Sequence, residues 1–285
     1  MENNLLPLCV NLAEKNNDYI VFLGAGFSKD AGIKSGWEIL IDTLKPLFVE
    51  ENKDQKLDEN YMQIIEKWYL EHPKYSKLGY SDILELVYPG PIERREYLKK
   101  FFEGKQPGGS HQKLAEMIKE GYFKYIFTTN FDDLLEKALD EFDIYYDVIF
   151  NDEQINDSLA WNHVKTCRIY KLHGDYKTGK VRNTIKELDL LDGLIYDEFQ
   201  YIINRHSVIT IGYSGRDKGI MDKFNKRDPY PYNIYWQFRT MPKNDKEFEC
   251  FYRLKTKYEI AERPIKFIQN NSAFDFLNKV NNKIS

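Results

Sequence analysis

Four short segments of the 285-residue chain carry groups suited to chemistry. The first is Gly24-Ala25-Gly26-Phe27-Ser28. Its glycines permit a tight turn and a close approach of backbone to a ligand. A helix N-terminus behind such a loop offers free N–H groups to a phosphate. Gly32 follows Gly26 by six residues, which departs from the G-x-G-x-x-G spacing. A nucleotide loop and a structural turn are therefore both open. The second segment is Thr128-Thr129-Asn130-Phe131-Asp132. Its amide and carboxylate suit a ribose, a carboxamide or a water, and equally suit capping the helix that follows. The third is His173, which precedes Gly174-Asp175. Its imidazole titrates near neutrality and suits a general base, or else a packed or capping role. The fourth is Gly212-Tyr213-Ser214-Gly215-Arg216-Asp217, whose backbone N–H groups and hydroxyl suit phosphate or ribose. Arg216 stands where a nucleophile elbow needs its last glycine, which argues against a serine hydrolase. His72, His111, His163 and His206 read as structural histidines.

These segments need elements to hold them. Asp18 to Leu23 is a continuous apolar run ending in glycine, the pattern of a strand buried on both faces. Lys124–Thr128, Cys167–Leu172 and Ser207–Ile211 read the same way, and Asn233–Arg239 and Pro264–Ile268 are two later strands. Helices are expected over Trp37–Phe48, bent near Pro46, and over Leu134–Glu141, 196–206 and Ala273–Val280. Ser110 is expected to cap a helix that runs to Glu120 and stops at Gly121. Tyr61–Leu70, Ile83–Val87 and Arg94–Phe102 read as helical pieces of an insertion spanning about residues 50–120. Strands alternate with helices, and each polar cluster follows a strand. The expected fold is therefore α/β, a Rossmann-like doubly wound parallel sheet with a mostly helical insertion. In such a sheet the four clusters share one edge, where ligands bind at the switch in strand order.

Composition narrows the classes. Lys plus Arg is 41 and Asp plus Glu is 45, a formal net charge of −4, without the basic excess of many nucleic-acid binders. Aromatics are 15%, with 21 Tyr and 18 Phe, enough apolar material for a sizeable core. Tyr230-Pro-Tyr-Asn-Ile-Tyr-Trp236 reads as packing rather than a base-stacking platform, and Glu93-Arg94-Arg95-Glu96 as a solvated helix face. Cys9, Cys167 and Cys250 are far apart, with no C-x-x-C, which speaks against a disulfide framework or a cysteine zinc site. No secretory signal or membrane span is legible, so a cytoplasmic location is expected.

In this order and rough spacing, the four segments resemble the sirtuin family over about 200 residues. Gly24-Ala25-Gly26-Phe27-Ser28-Lys29-Asp30-Ala31-Gly32-Ile33 looks like its glycine loop. Thr128-Thr129-Asn130-Phe131-Asp132 looks like its Thr-Gln-Asn-Ile-Asp, Leu172-His173-Gly174 like its His-Gly, and Gly212-Tyr213-Ser214 like its later Gly-x-Ser. Lys34-Ser35-Gly36-Trp37 replaces the usual Pro-x-Phe-Arg, Thr129 replaces Gln, and the cysteine zinc ribbon is missing. Those departures are similar to the zinc-free sirtuin-like NADases of bacterial antiphage defence.

The resemblance implies a single NAD-binding domain over residues 1–285 and NAD⁺ as substrate, with no metal. It implies catalytic roles for Asn130, which would hold the attacking water, and His173, which would act as base. It implies NAD contacts from Gly24, Ala25, Gly26, Ser28, Thr129, Asp132, Gly212, Ser214 and Asp217. The reaction implied is hydrolysis of the nicotinamide glycosidic bond to nicotinamide and ADP-ribose. Alternatives are a zinc-free ADP-ribosyl or acyl-lysine transferase, and a sensor that binds NAD⁺ or ADP-ribose without turnover. With no sensor domain legible, control is expected from self-assembly or from a separate sensor or ATPase subunit, without direct nucleic-acid or membrane binding.

Overall fold

The computed structural model describes residues 4–14, 18–55, 57–159, 167–177, 180–181, 193–242 and 248–284. His163 lies outside them. A seven-stranded, all-parallel sheet forms the centre. In chain order its strands are β1 (Tyr19–Leu23), β2 (Tyr125–Thr128), β3 (Tyr146–Ile149), β4 (Cys167–Lys171), β7 (Ser207–Ile211), β8 (Ile234–Phe238) and β9 (Lys266–Gln269). Their spatial order is β3-β4-β2-β1-β7-β8-β9. A small antiparallel pair, β5 (Gly174–Asp175) with β6 (Lys180–Val181), follows β4. The order reverses at β1, which lies between β2 and β7, and this is where a doubly wound sheet opens a crevice.

Strand β1 explains the layering. All five of its residues are buried. Tyr19, Val21 and Leu23 join one core, while Ile20 and Phe22 join the other. That period of two is the strand geometry itself. The first core is covered by α1 (Leu5–Ala13), α7 (Gly109–Lys119), α8 (Leu134–Glu141) and α13 (Ala273–Ile284). The second is covered by α9 (Asp152–Leu159), α10 (Leu194–Ile203), α11 (Lys218–Lys226) and α12 (Glu249–Ile260).

Between β1 and α7 the chain builds a helical wall from α2 (Gly36–Thr43), α3 (Lys45–Glu51), α4 (Tyr61–Glu71), α5 (Tyr80–Val87) and α6 (Pro91–Phe102). The bend expected near Pro46 is a break at Leu44, and Pro46 sits in the first turn of α3, where a missing N–H costs nothing. The wall has two small cores of its own. One, built on Leu40, Leu44, Phe48, Ile65 and Tyr75, stays within the helices. The other joins Ile33, Ile39, Leu98 and Phe102 to Leu134 and Tyr176 of the sheet layer.

The expected cap of α7 is corrected. Gly108, not Ser110, is the N-cap, and Ser110 lies inside the helix. Two side chains, one of them from the helix itself, meet the free N–H groups of this helix start. Ser110 N–H donates to Asp30 Oδ2 at 2.7 Å, and Gly108 N–H donates to His111 Nδ1 at 3.2 Å. The edge strand β3, the short pair β5–β6 and the helices α1, α9, α11 and α12 add to the elements read from sequence. Among the described residues no helix is long and apolar enough to cross a membrane.

Candidate functional site

The loops after β1, β2, β4 and β7 meet at the carboxyl edge of the sheet. After β1 the chain does not extend but winds into a 3-10 turn over Ala25–Ala31, closed by Gly32 in the left-handed region with φ 74°. This turn rests on the loop after β7. Gly26 N–H donates to Gly212 O at 2.9 Å. A Cβ on Gly26 would meet that oxygen at 2.9 Å, and one on Gly212 would meet Phe27 N at 2.3 Å. The glycines thus let two backbones touch, which is a structural demand independent of any ligand.

Ser28 is the hub of the site. Its hydroxyl is buried and donates to Asp132 Oδ2 at 3.0 Å. It accepts from Asn130 Nδ2 at 3.1 Å and lies 3.2 Å from His111 Nε2. Because Gly108 N–H already points at His111 Nδ1, the neutral ring carries its proton on Nε2 and donates to Ser28. Burial pulls the His111 pKa down, only partly opposed by the carboxylates of Asp132 and Asp30, so the neutral form is favoured. Every hydrogen-bonding site of the Ser28 hydroxyl is therefore used, and the Asn130 amide and Asp132 carboxylate are fixed relative to each other. Asn130 N–H is turned back onto Thr128 Oγ1 at 2.9 Å, and Leu134 N–H donates to Asp132 Oδ1 at 3.2 Å. Asp132 thus faces the site and also takes the first N–H of α8, although the N-cap itself is Asp133.

A second tie lies beneath. Lys171, the last residue of β4, is 1% exposed. Its ammonium donates to the backbone oxygen of Asp132 at 2.7 Å and to Asp175 Oδ2 at 2.5 Å, and it pairs with Glu136. Burial alone would lower its pKa, but Glu136 and Asp175 outweigh that and raise it, so Lys171 stays charged. Burial pushes the Glu136 carboxyl up, and Lys171 offsets only part of that push. One cation thus clamps the Asn130–Asp132 loop to the strand that delivers His173.

His173 is buried and lies 2.7 Å from Asp217 Oδ2 through Nε2, at ion-pair distance but without hydrogen-bond alignment. Asp217 also caps α11, accepting from Ile220 N–H at 3.2 Å. Burial pushes the Asp217 carboxyl up, yet the adjacent His173 imidazole and the backbone N–H groups of Ile220 and Gly219 outweigh this and hold it below the usual range.

A cleft of about 190 Å³ opens over these groups, lined by Ala25, Ser28, Thr129, Asn130, Asp132 and His173 on the sheet side. Ile33, Lys34, Ile39, Tyr80 and Phe102 line it from the wall side. Of the residues singled out in the sequence, six line the cleft and Asp217 supports His173. Gly24, Gly26 and Gly212 form the backbone floor behind it, and Ser214 stands exposed outside the lining. Sequence reasoning missed the supports His111 and Lys171 and the wall-side lining residues, Lys34 among them. The only signals for His111 and Lys171 were a histidine two residues past a glycine pair and a lysine inside an apolar strand.

The strand order and site define a Rossmann-like α/β protein with its crevice at the β1 switch point. Comparison with known proteins adds that residues 124–256, a little under half of the chain, match the model of the SIR2-like domain. It is 24% identical over 230 residues to Defense-associated sirtuin 2 of Bacillus subtilis, covering 77% of this chain and 20% of that protein. It is 26% identical over 161 residues to NAD(+) hydrolase ThsA of Acinetobacter baumannii, covering 56% of this chain and 28% of that one. The match thus spans about a fifth to about a quarter of those relatives' lengths. A solved structure concerned with the mechanism and regulation of Sir2 enzymes superimposes with a TM-score of 0.52 at 14% identity, over 100% of this chain and 98% of that one. That likeness is one of fold.

Proposed function

We propose that the chain is an NAD⁺ hydrolase that cleaves the nicotinamide glycosidic bond, giving nicotinamide and ADP-ribose, and that it serves antiphage defence by depleting NAD⁺. The observation that carries this reading is the Ser28 hub, which fixes Asn130 and Asp132 in the cleft that His173 also lines. The names of the two relatives support it in substrate and setting. The whole chain, 1–285, acts as one NAD-binding domain, with its helical stretch forming one wall of the site.

In the proposed reaction the C–N bond to nicotinamide breaks with its electron pair leaving on the neutral nicotinamide nitrogen. Positive charge develops on the ribose. Fixed dipoles stabilise such charge because they need no reorganisation. The Asn130 amide, already held by Ser28, orients the attacking water, and the water oxygen bonds to the anomeric carbon. His173 takes the water's proton. Asp217 engages its Nε2, which leaves Nδ1 as the accepting nitrogen and stabilises the imidazolium. Asp132 orders the loop or contacts the nicotinamide side. Ala25, Thr129 and the backbone of Gly24, Gly26 and Gly212 lie along the diphosphate and adenosine side, with Ser214 at its outer end.

Control by self-assembly or by a separate sensor or ATPase subunit belongs to the same proposal. The test is stoichiometric. Purified chain is incubated with NAD⁺ and an acylated acceptor protein, and products are quantified by chromatography and mass spectrometry. The proposal expects free ADP-ribose equal to nicotinamide, with the acceptor unchanged. ADP-ribose or deacylation on the acceptor would replace it with a transferase.

A further inference from the structure

The cleft faces a substrate that carries two phosphate charges in the reading above, yet its polar floor is built on a carboxylate and an amide. The lining contains one cationic lysine or arginine side chain among the described residues, Lys34. It lies in the loop between Gly32 and the Ser35 cap of α2, where the resembling family has proline. Its side chain is 35% exposed, and its ammonium donates to Asp42 Oδ1 at 3.0 Å.

Asp42 holds more donors than a counter-ion for one lysine needs. Its Oδ1 also accepts from Tyr61 OH at 2.8 Å. Its Oδ2 accepts from Tyr97 OH at 3.0 Å and from Lys100 Nζ at 2.9 Å. A carboxylate has about four lone-pair sites, and all four are taken. The cluster of Lys34, Lys100 and Asp42 carries a formal charge of +1. If Lys34 swings away, Asp42 keeps three donors and one cation, so no buried charge is left unpaired, the arrangement that makes broken ion pairs costly. Burial pushes the Asp42 carboxyl up, but Lys100, Tyr61 and Lys34 outweigh it and keep it ionised well below the usual range. Lys34 lines the cleft, and its ammonium lies 5.3 Å from the Phe101 ring centroid.

We propose that Lys34 is the cation that reads the substrate's phosphate charge, with Asp42 of the helical wall as its resting counter-ion and Lys100 as the replacement when Lys34 turns to the ligand. The inference rests on the site taking an ADP-ribose-containing substrate. It gives the wall a role in recognition and assigns Lys34, which stands where the resembling family has proline, a function of its own.

Two readouts test it. NAD⁺ hydrolysis is measured for wild type, Lys34→Met and Lys34→Arg at low and high salt. Lys34→Met should raise KM about tenfold with kcat within twofold, Lys34→Arg should restore most of the KM, and the salt dependence of KM should shrink in Lys34→Met. A matching fall in kcat with unchanged KM, or no restoration by arginine, overturns it. Calorimetric binding of ADP-ribose separates this inference from the catalytic reading. If NAD⁺ stays intact but wild type binds ADP-ribose about tenfold tighter than Lys34→Met, the hydrolase reading fails and Lys34 keeps its role. Equal binding by the two proteins, or none by wild type, overturns the inference whatever the hydrolysis result.

Discussion

The sheet edge and the helical wall enclose the same cleft but hold their polar groups in opposite ways. At the sheet edge the two central groups, the Ser28 hydroxyl and the Lys171 ammonium, are buried and bonded to capacity. The Ser28 hydroxyl makes three contacts, and Lys171 makes three more. Removing one partner there leaves another polar group without its fixed bond. On the wall Asp42 also has four donors, but two of them come from lysines 35% and 48% exposed. Water replaces either one at little cost. The difference separates the parts of the site: the groups at the sheet edge are fixed by one another, and the ion pairs of the wall can exchange for water.

The largest expected effect on stability is at the clamp. Lys171→Met leaves Glu136 and Asp175 without their cation, and should lower unfolding free energy by about 3–5 kcal/mol in urea titration. A loss below about 1 kcal/mol would show that the clamp is as exchangeable as the wall. Next is Ser28→Ala, which strands the Asp132 carboxylate and the Asn130 amide. About 1–3 kcal/mol should be lost, and kcat should fall more than KM changes. Retained kcat would break the claim that the hub orders the site.

The pH dependence sharpens the same contrast. His111 is neutral in the fold because burial lowers its pKa below the ordinary 6.5. Below pH 6.5 the unfolded chain takes up a proton there and the native chain does not. This contribution is therefore fully present above pH 6.5, declines as pH falls below it, and levels off at the folded pKa. Unfolding free energies at pH 7.5 and 5.5 should differ more for wild type than for His111→Gln. An equal slope would mean that the ring is protonated in the native site. The smallest effect is on the wall, where Lys100→Ala should cost under about 1 kcal/mol, because the lost ion pair is half exposed.

The convergence of four loops was legible because each polar cluster closes an apolar strand, and parallel strands bring their carboxyl ends to one edge. Asn130, Asp132 and His173 lie where that logic puts them. The supports were harder to see. His111 is a first-turn helix residue whose partner Ser28 is 83 positions away, and no local pattern marks such a pair. Lys171 sits within a run that reads as core, and its burial depends on Glu136 from another element. Strand β3 is short and carries Asp147 at the sheet margin, so it lacks the apolar run that announced β1. Helix α12, by contrast, buries Phe251, Leu254 and Tyr258, a helical spacing that was there to be read. Ser214 follows β7 as the pattern expects, but the glycine contact with the β1 loop carries the chain past the cleft, and the hydroxyl ends up exposed.

The central claim is that the groups gathered by the Ser28 hub and the β4 strand end break the nicotinamide bond. The most direct measurement is chromatography of NAD⁺ incubated with wild type, His173→Ala and Asn130→Ala, each verified as folded by circular dichroism. Wild type should release nicotinamide and ADP-ribose, and each variant should be slower by about 10²–10⁴-fold. Undiminished turnover in a folded His173→Ala protein, or intact NAD⁺ with wild type, would contradict the claim.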